Sequence, residues 1–182
     1  MRYLISGKGV VSRAQQQATR LYVTLMLEVV GRGLVAASQS DSVMQDELAD
    51  FAPGTVIQMR VLPQGPQFSV EVLDAGRLRL LKELPAKVDV GVCFKHMAHA
   101  FLVLSFQEST ATAFAHDRMY VDGDISRALR LVRCLNRMEA LILPKLIAKR
   151  AVKRYPVISL TQKLDLGRKI YSNLLVDFLR GE

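Results

Sequence analysis

Tryptophan is absent from this chain, and the residues that usually carry chemistry are scarce: Cys93 and Cys134 are its only cysteines, and His96, His99 and His116 its only histidines. Each scarcity excludes a class of function. Two cysteines, in no CxxC and no Cys/His cluster, provide neither a disulfide framework nor a thiolate metal knuckle; free thiols in a reducing compartment are expected. His96 and His99 lie three apart on one predicted helix, but no third ligand falls at suitable spacing and no HExxH occurs, so no metal is expected. A GxSxG elbow and a Walker loop are also missing. Gly31-Arg32-Gly33 follows a helical pattern rather than a strand and is not a dinucleotide fingerprint. With no reactive constellation, the chain reads as non-enzymatic and without a cofactor.

Long apolar runs are missing as well. The most apolar stretch, residues 21–37, is interrupted by Glu28, Gly31, Arg32 and Gly33, which argues against a membrane span. The first 17 residues lack the uninterrupted apolar core and small-residue cleavage site of a signal peptide. A soluble cytoplasmic protein is the expectation.

What is abundant is apolar surface and, locally, positive charge. Half of the 182 residues are hydrophobic, enough for one domain with a real core. The formal charge of +8 is concentrated between Ile125 and Tyr155, where nine basic residues face the single acid Glu139. Arg127, Arg130, Arg133 and Arg137 share one side of a predicted helix, opposite Ile125, Ala128, Leu129, Val132 and Leu135. Lys149, Arg150, Lys153 and Arg154 form a similar basic arc on the next predicted helix, Lys145–Tyr155, which Pro144 opens and Pro156 closes. Two basic amphipathic faces imply an anionic partner. An anionic membrane surface fits better than nucleic acid, because no aromatics interleave with the cations.

The remaining elements follow from periodicity. Residues 1–12 read as a loose arm. A helix is predicted from Arg13 to the middle thirties, with Ala18, Leu21, Tyr22, Leu25, Met26, Val29 and Val30 on a buried face and Gly31 and Gly33 weakening its end. Asp41 or Ser42 is expected to cap a short helix reaching Phe51. Alternating apolar residues predict strands over residues 55–62, 67–73, 77–82, 87–94 and 118–122, separated by turns at Pro53-Gly54, residues 63–66 and Asp74-Ala75-Gly76. Lys95–Phe106 returns to helix and is apolar nearly all round. After the fifth strand, Gly123 supplies a turn and Asp124 an N-cap for the arginine-bearing helix. A last amphipathic helix is predicted over residues 160–179, carrying Leu164, Ile170, Leu174, Leu175 and Phe178. The fold class is α+β: a five-stranded, mostly antiparallel sheet with one face covered by helices.

One segment carries a further signal. Ala113–Leu131, AFAHDRMYVDGDISRALRL, resembles the most characteristic stretch of the sterol carrier protein type 2 superfamily: an aromatic, a short basic strand, a Gly-Asp turn and an amphipathic helix. The matching positions are Phe114, Arg118, Val121, Gly123, Asp124 and the helix from Ile125. Upstream, Gly76-Arg77-Leu78, then Val88-Asp89-Val90 and an apolar helix, come in the family's order. The resemblance covers about Asp46 to Leu135 and is that of a bacterial stand-alone member. It divides the chain into an N-terminal arm and helix (1–45), a sterol-carrier-like domain (46–143) and a C-terminal helical extension (144–182).

The resemblance implies a curved sheet, helices on one face and a lipid-sized apolar cavity between them. The expected ligand is a long-chain lipid: an acyl chain, a phospholipid, a sterol-like compound or a polyprenyl quinone precursor. Phe68, Phe94, Met97, Phe101, Phe106, Phe114, Met119, Val121, Leu129 and Val132 would line the cavity. Burying about ten methylenes at ~0.8 kcal/mol each offers about 8 kcal/mol before entropic costs. The basic residues Arg127, Arg130, Arg133, Arg137, Lys149, Arg150, Lys153 and Arg154 would steer the domain to an anionic membrane. The role would be accessory, in lipid or ubiquinone metabolism, with a lipid-metabolising enzyme as a partner. The alternative is a scaffold with a filled core that docks an acidic protein or nucleic acid through its basic helices.

Overall fold

The computed structural model describes residues 13–142 and 164–172. Five strands form one sheet in the order β3-β2-β1-β4-β5: β1 Val56–Val61, β2 Gln67–Val72, β3 Leu78–Leu81, β4 Val90–Phe94 and β5 Met119–Gly123. Three of the four pairings are antiparallel; β1 and β4 run parallel. The helices are α1 Arg13–Ser40, α2 Ser42–Leu48, α3 Met97–Leu104, α4 Thr110–Ala115 and α5 Ile125–Ile142, with a sixth, α6, over residues 164–172. The expected α+β architecture is the observed one.

The register explains which face is covered. Leu80, Val70, Ile57 and Val90 lie in one cross-strand row, Phe68, Met59, Val92 and Val121 in the next, and Val61, Phe94 and Met119 in a third. These rows sit under α1 and α5 and, with them, form a single core. The opposite face is polar but not all wet: buried Gln58 donates its amide to Ser69 Oγ at 3.2 Å, and Arg60 Nε lies 3.1 Å from the buried Cys93 Sγ. The chain enters β4 through Asp89, whose Oδ2 accepts the Val56 N–H at 3.0 Å. Hydrogen bonds from Lys87 and from that amide hold the Asp89 carboxyl below its ordinary range.

Three details differ from the sequence-based reading. First, α1 does not fade at its glycines but runs on to Ser40. Gly31 and Gly33 are sites of close approach: a Cβ on Gly31 would lie 3.1 Å from the Phe68 ring, and one on Gly33 2.7 Å from Met138 Sδ. Second, α1 is turned about its axis from the expected face. Val23, Leu27, Val30 and Leu34 are buried, whereas Leu21 and Leu25 are 62% and 57% exposed. Residues 21–30 are apolar on both sides, so periodicity alone does not choose; the side bearing Gly31 and Gly33 packs because it allows the helix closest to the sheet and to α5. Third, β4 starts at Val90, leaving Val88 outside it, and α3 is followed by a separate short helix, α4, in a stretch to which the sequence-based reading assigned no element. Ser109 caps α4, accepting the Thr112 N–H at 3.2 Å.

By length and composition α1 could cross a bilayer. Here 56% of its most apolar window is buried inside the fold, where it serves as a core helix.

Candidate functional site

The turn that launches α5 forms as expected. Gly123 has φ +107°, and Asp124 Oδ1 accepts the Arg127 N–H at 3.0 Å. The face α5 buries is different. Ala128, Leu131, Cys134, Leu135, Met138 and Leu141 are buried, while Ile125 and Leu129 are 69% and 55% exposed. The Ile125–Leu129–Val132 stripe lasts two turns. The stripe through Leu131, Leu135 and Met138 runs the helix's length and buries more apolar area. Leu129 therefore stands outside the group that faces the sheet, and Val132 is only partly buried.

The other expected lining residues fall into two sets. Phe68, Phe94 and Met119 are buried in the core. Met97, Phe101, Phe114 and Val121 pack against it while keeping partial exposure, and Phe106 is likewise partly buried. The Phe101 ring meets Tyr22 edge-on at 5.3 Å, and the Tyr22 hydroxyl donates to the Leu104 carbonyl at 3.2 Å, which fixes α3 to α1. Because α1 lies directly on Phe68 of β2 and Leu80 of β3, that end of the covered face is filled.

Openings occur at the margins of the helical layer. A groove of about 450 Å³ separates α1 from the edge strand β3, with Arg32, Arg79 and Lys82 among its walls. A recess of similar volume lies where Gln16, Thr19 and Arg20 of α1 approach Met97 of α3. A smaller pocket, with about 50 Å³ of free volume, is formed by α1 (Met26, Val29, Val30), the end of α3 (Leu104, Phe106) and α5 (Met138, Ile142). Among the described residues its walls are apolar except for Glu139. The Glu139 Oε2 atom is buried without a hydrogen-bond partner, and burial alone pushes the carboxyl up to about 7. Val29, on the rim, continues the exposed row Leu21–Leu25 along α1 at the i, i+4 spacing of one helix face.

The arginines of α5 are engaged within the fold. Arg137 makes two hydrogen bonds to Asp41, at 2.7 and 3.2 Å, and the Asp41 side chain is only 3% exposed. Arg133 reaches Glu47 at 2.9 Å, and Arg130 reaches both Glu47, at 3.4 Å, and Asp50. The Glu47 hydrogen bond holds the Arg133 guanidinium above its ordinary range. Asp41 occupies the N-cap position of α2 as expected, but its carboxylate goes to Arg137 and makes no side-chain cap. Arg127, also partly buried, adds to the field that lowers the Asp89 carboxyl. Lys149, Arg150, Lys153 and Arg154 lie outside the described residues, as do the expected Lys145–Tyr155 helix and the positions Leu174, Leu175 and Phe178.

Among the described residues no group of three or more His, Cys, Asp or Glu side chains is arranged to hold a metal ion. The His96 and His99 rings meet at 5.1 Å, and burial, then the neighbouring His96, holds His99 below its ordinary range. Cys93 and Cys134 are free and buried; desolvation pushes the Cys134 thiol up to about 12.

Sequence reasoning passed over Glu139. The available signal was a lone acid inside the otherwise apolar run Met138–Leu143. It also passed over the acids of residues 41–50, whose partners lie up to 96 residues away.

No family model matches the chain, and no curated protein matches it. Solved structures offer distant likenesses. A ubiquinone synthesis protein, UbiJ-SCP2, is 15% identical with a TM-score of 0.44, over 65% of this chain and 96% of that one. Sterol carrier protein 2 from Yarrowia lipolytica, in its apo form, is 14% identical with a TM-score of 0.43, over 65% and 93%. Sterol carrier protein 2 like 2 from Aedes aegypti is 14% identical with a TM-score of 0.40, over 63% and 96%. The α+β fold stated above rests on this chain's own sheet and register.

Proposed function

We propose that this protein binds a long-chain lipid without transforming it, the chain lying along α1 and entering the pocket between α1, α3 and α5. The observation that carries this reading is the continuity of apolar surface. Leu21, Leu25 and Val29 form an exposed row that leads into the opening bounded by Met26, Phe106 and Ile142. Eight helical residues span about 12 Å, the length of roughly nine to ten methylenes. Covering such a row while filling a pocket of this size suits one extended chain better than a compact ligand. The sterol carrier protein neighbours, and a further solved structure described as palmitated SCP2L2 from Aedes aegypti, agree with a lipid ligand. A role in presenting an acyl, sterol-like or polyprenyl quinone intermediate to an enzyme belongs to this reading. The free buried thiols suit the reducing, cytoplasmic setting in which it would operate. The ion pairs of Arg130, Arg133 and Arg137 argue that on α5 the charge serves the fold first, so contact with an anionic membrane is proposed only as a secondary role for this face.

Native mass spectrometry of freshly purified protein, followed by organic extraction, tests the reading. A discrete co-purifying lipid, with uptake lowered at least tenfold by Val29→Glu at the pocket rim, is expected. A clean apo mass together with no uptake of added long-chain alcohols, acyl chains or polyprenyl compounds would overturn it.

A further inference from the structure

The α1/α3/α5 pocket contains one group that packing does not explain. Glu139 presents an enclosed, unpartnered Oε2 to walls that are otherwise hydrocarbon. An orphan carboxyl in such surroundings is costly to fold around and is replaced without loss by an apolar residue unless something meets it. Among the described residues nothing on the packed elements does. The α1 wall offers Met26, Val29 and Val30; the α3 end offers Leu104 and Phe106; α5 itself offers Met138 and Ile142. The charged residues flanking the α1 wall, Glu28 and Arg32, pair with each other at 2.8 Å. The next arginine on α5, Arg137, is turned to Asp41. Among the described residues burial is the cause of the carboxyl's upward shift.

A second observation lies on the same pocket. Phe106 has φ +59°, a left-handed conformation that a bulky L-residue rarely adopts. Hydrogen bonds from Phe106 N to the Val103 carbonyl, and from Gln107 N to the Leu102 carbonyl, hold that turn. An ordinary α3 terminus would place a glycine or asparagine there. Residues held in such conformations cluster at binding sites and switch regions.

We propose that the Glu139 carboxyl is the head-group contact of this pocket, selecting long-chain ligands whose buried end is an uncharged hydrogen-bonding oxygen over those that end in carboxylate or phosphate. The inference rests on the lipid-binding reading and deepens it. The free volume of about 50 Å³ holds a hydroxyl or carbonyl with its first carbon, several times the space one water requires. A hydroxyl head donates to Oε2 when Glu139 is charged and accepts from it when Glu139 is protonated, so it is satisfied in either state. A carbonyl head requires the protonated acid. An anionic head brings a second negative charge into a low-dielectric pocket with no cation among its described walls, and that repulsion excludes it.

The test uses the full-length protein and a tail-matched set: hexadecanol, palmitate, hexadecylamine and the methyl ketone of the same length. Each competes with a fluorescent apolar probe, below its own aggregation concentration, at pH 5.5 and pH 8.5. At pH 8.5 the alcohol is expected to bind at least tenfold more tightly than palmitate. The ketone is expected to weaken at least threefold between pH 5.5 and 8.5. Glu139→Gln, an isostere without charge, should narrow the alcohol-to-palmitate ratio at pH 8.5 to less than threefold and abolish the ketone's pH dependence. Equal binding of alcohol and palmitate by the wild type would overturn the assignment with no variant needed. So would tightest binding of the amine, which would mark the pocket as a cation site. Displacement of the probe by no member of the set defeats the lipid-binding reading itself, an outcome separate from failure of Glu139 to discriminate.

Discussion

Replacing Glu139 by glutamine should remove a pH dependence from folding stability whose sign is opposite to that of a salt-bridged acid. The carboxyl's ordinary value is 4.5, and burial raises it to about 7 in the folded chain. Between these values the folded protein holds a proton on Glu139 that the unfolded chain has released. Stability tied to the group is therefore present in full below about pH 4.5 and is lost as pH rises through about 7. The interval between the two values, at ~1.4 kcal/mol per pH unit, amounts to about 3 kcal/mol. The Glu139 residue as a whole is only partly buried, and solvent screening lowers that figure. Glutamine is neutral throughout. Urea denaturation of both proteins at pH 4.5 and pH 8.5 reads the effect as a difference of differences, which cancels every other titrating group. The variant should be within about 1 kcal/mol of the wild type at pH 4.5 and more stable by up to about 3 kcal/mol at pH 8.5. A stability difference that stays constant across this range would refute the premise that Glu139 is buried without a partner, and with it the basis of head-group selection.

Two further substitutions probe the frame around the site. Asp41→Asn leaves the Arg137 guanidinium, 17% exposed, without its countercharge; unfolding free energy should fall by about 3 kcal/mol, and a loss below 1 kcal/mol would show the pair to be solvated. Gly123→Ala forces a side chain onto φ +107° and places its Cβ 2.4 Å from the Asp89 carbonyl; a loss of about 3 kcal/mol by thermal or urea denaturation is expected, and an unchanged midpoint would mean that the β5–α5 turn differs from the one described.

Elements with one apolar face were legible in the sequence, and elements with two were not. The phases of β1, β2 and β4 follow from strict alternation, and the structure buries Ile57, Met59, Val70, Val72, Val90 and Val92 accordingly. On α1, the run Leu21–Val30 is apolar on both sides, and the choice between them depends on Gly31 and Gly33 meeting Phe68 and Met138, residues more than 35 positions away. On α5, the first two turns suggested Ile125 and Leu129, and only the later turns show which stripe persists. The short helix α4, TATAFA, mixes alanines with two threonines and a phenylalanine over only six residues, too short for periodicity to mark, and Ser109 caps it. As for the candidate site, Phe106 of the expected lining borders the α1/α3/α5 pocket and Met97 the recess beside Gln16, while Phe68 and Phe94 are core, and the openings themselves were not legible. A cavity is the space left after all side chains are placed, and periodicity does not describe it.

The α5 arginines show the same limit, and a charge swap turns it into a decision. A face read as free for an anionic surface predicts that reversing Arg130 and Arg133 leaves the fold untouched and weakens vesicle binding. The structure assigns both side chains to Glu47, and Arg130 also to Asp50, with the Glu47 side chain 27% exposed. Reversal then sets two new carboxylates against two existing ones. Partly exposed pairs are worth about 0.5–1 kcal/mol each, so Arg130→Glu with Arg133→Glu should cost about 2 kcal/mol once attraction becomes repulsion. Adding Glu47→Lys and Asp50→Lys restores the pairing with its polarity inverted and should recover most of that loss, the coupling that a double-mutant cycle isolates. Binding to vesicles containing anionic lipid separates the roles. If α5 steers to membrane as well, the swapped protein recovers stability but not vesicle affinity, because its outward arginines are gone. If the arginines serve only the fold, vesicle affinity is the same in wild type, reversed and swapped proteins. No loss of stability on reversal would refute the ion-pair ladder itself and return this face to solvent.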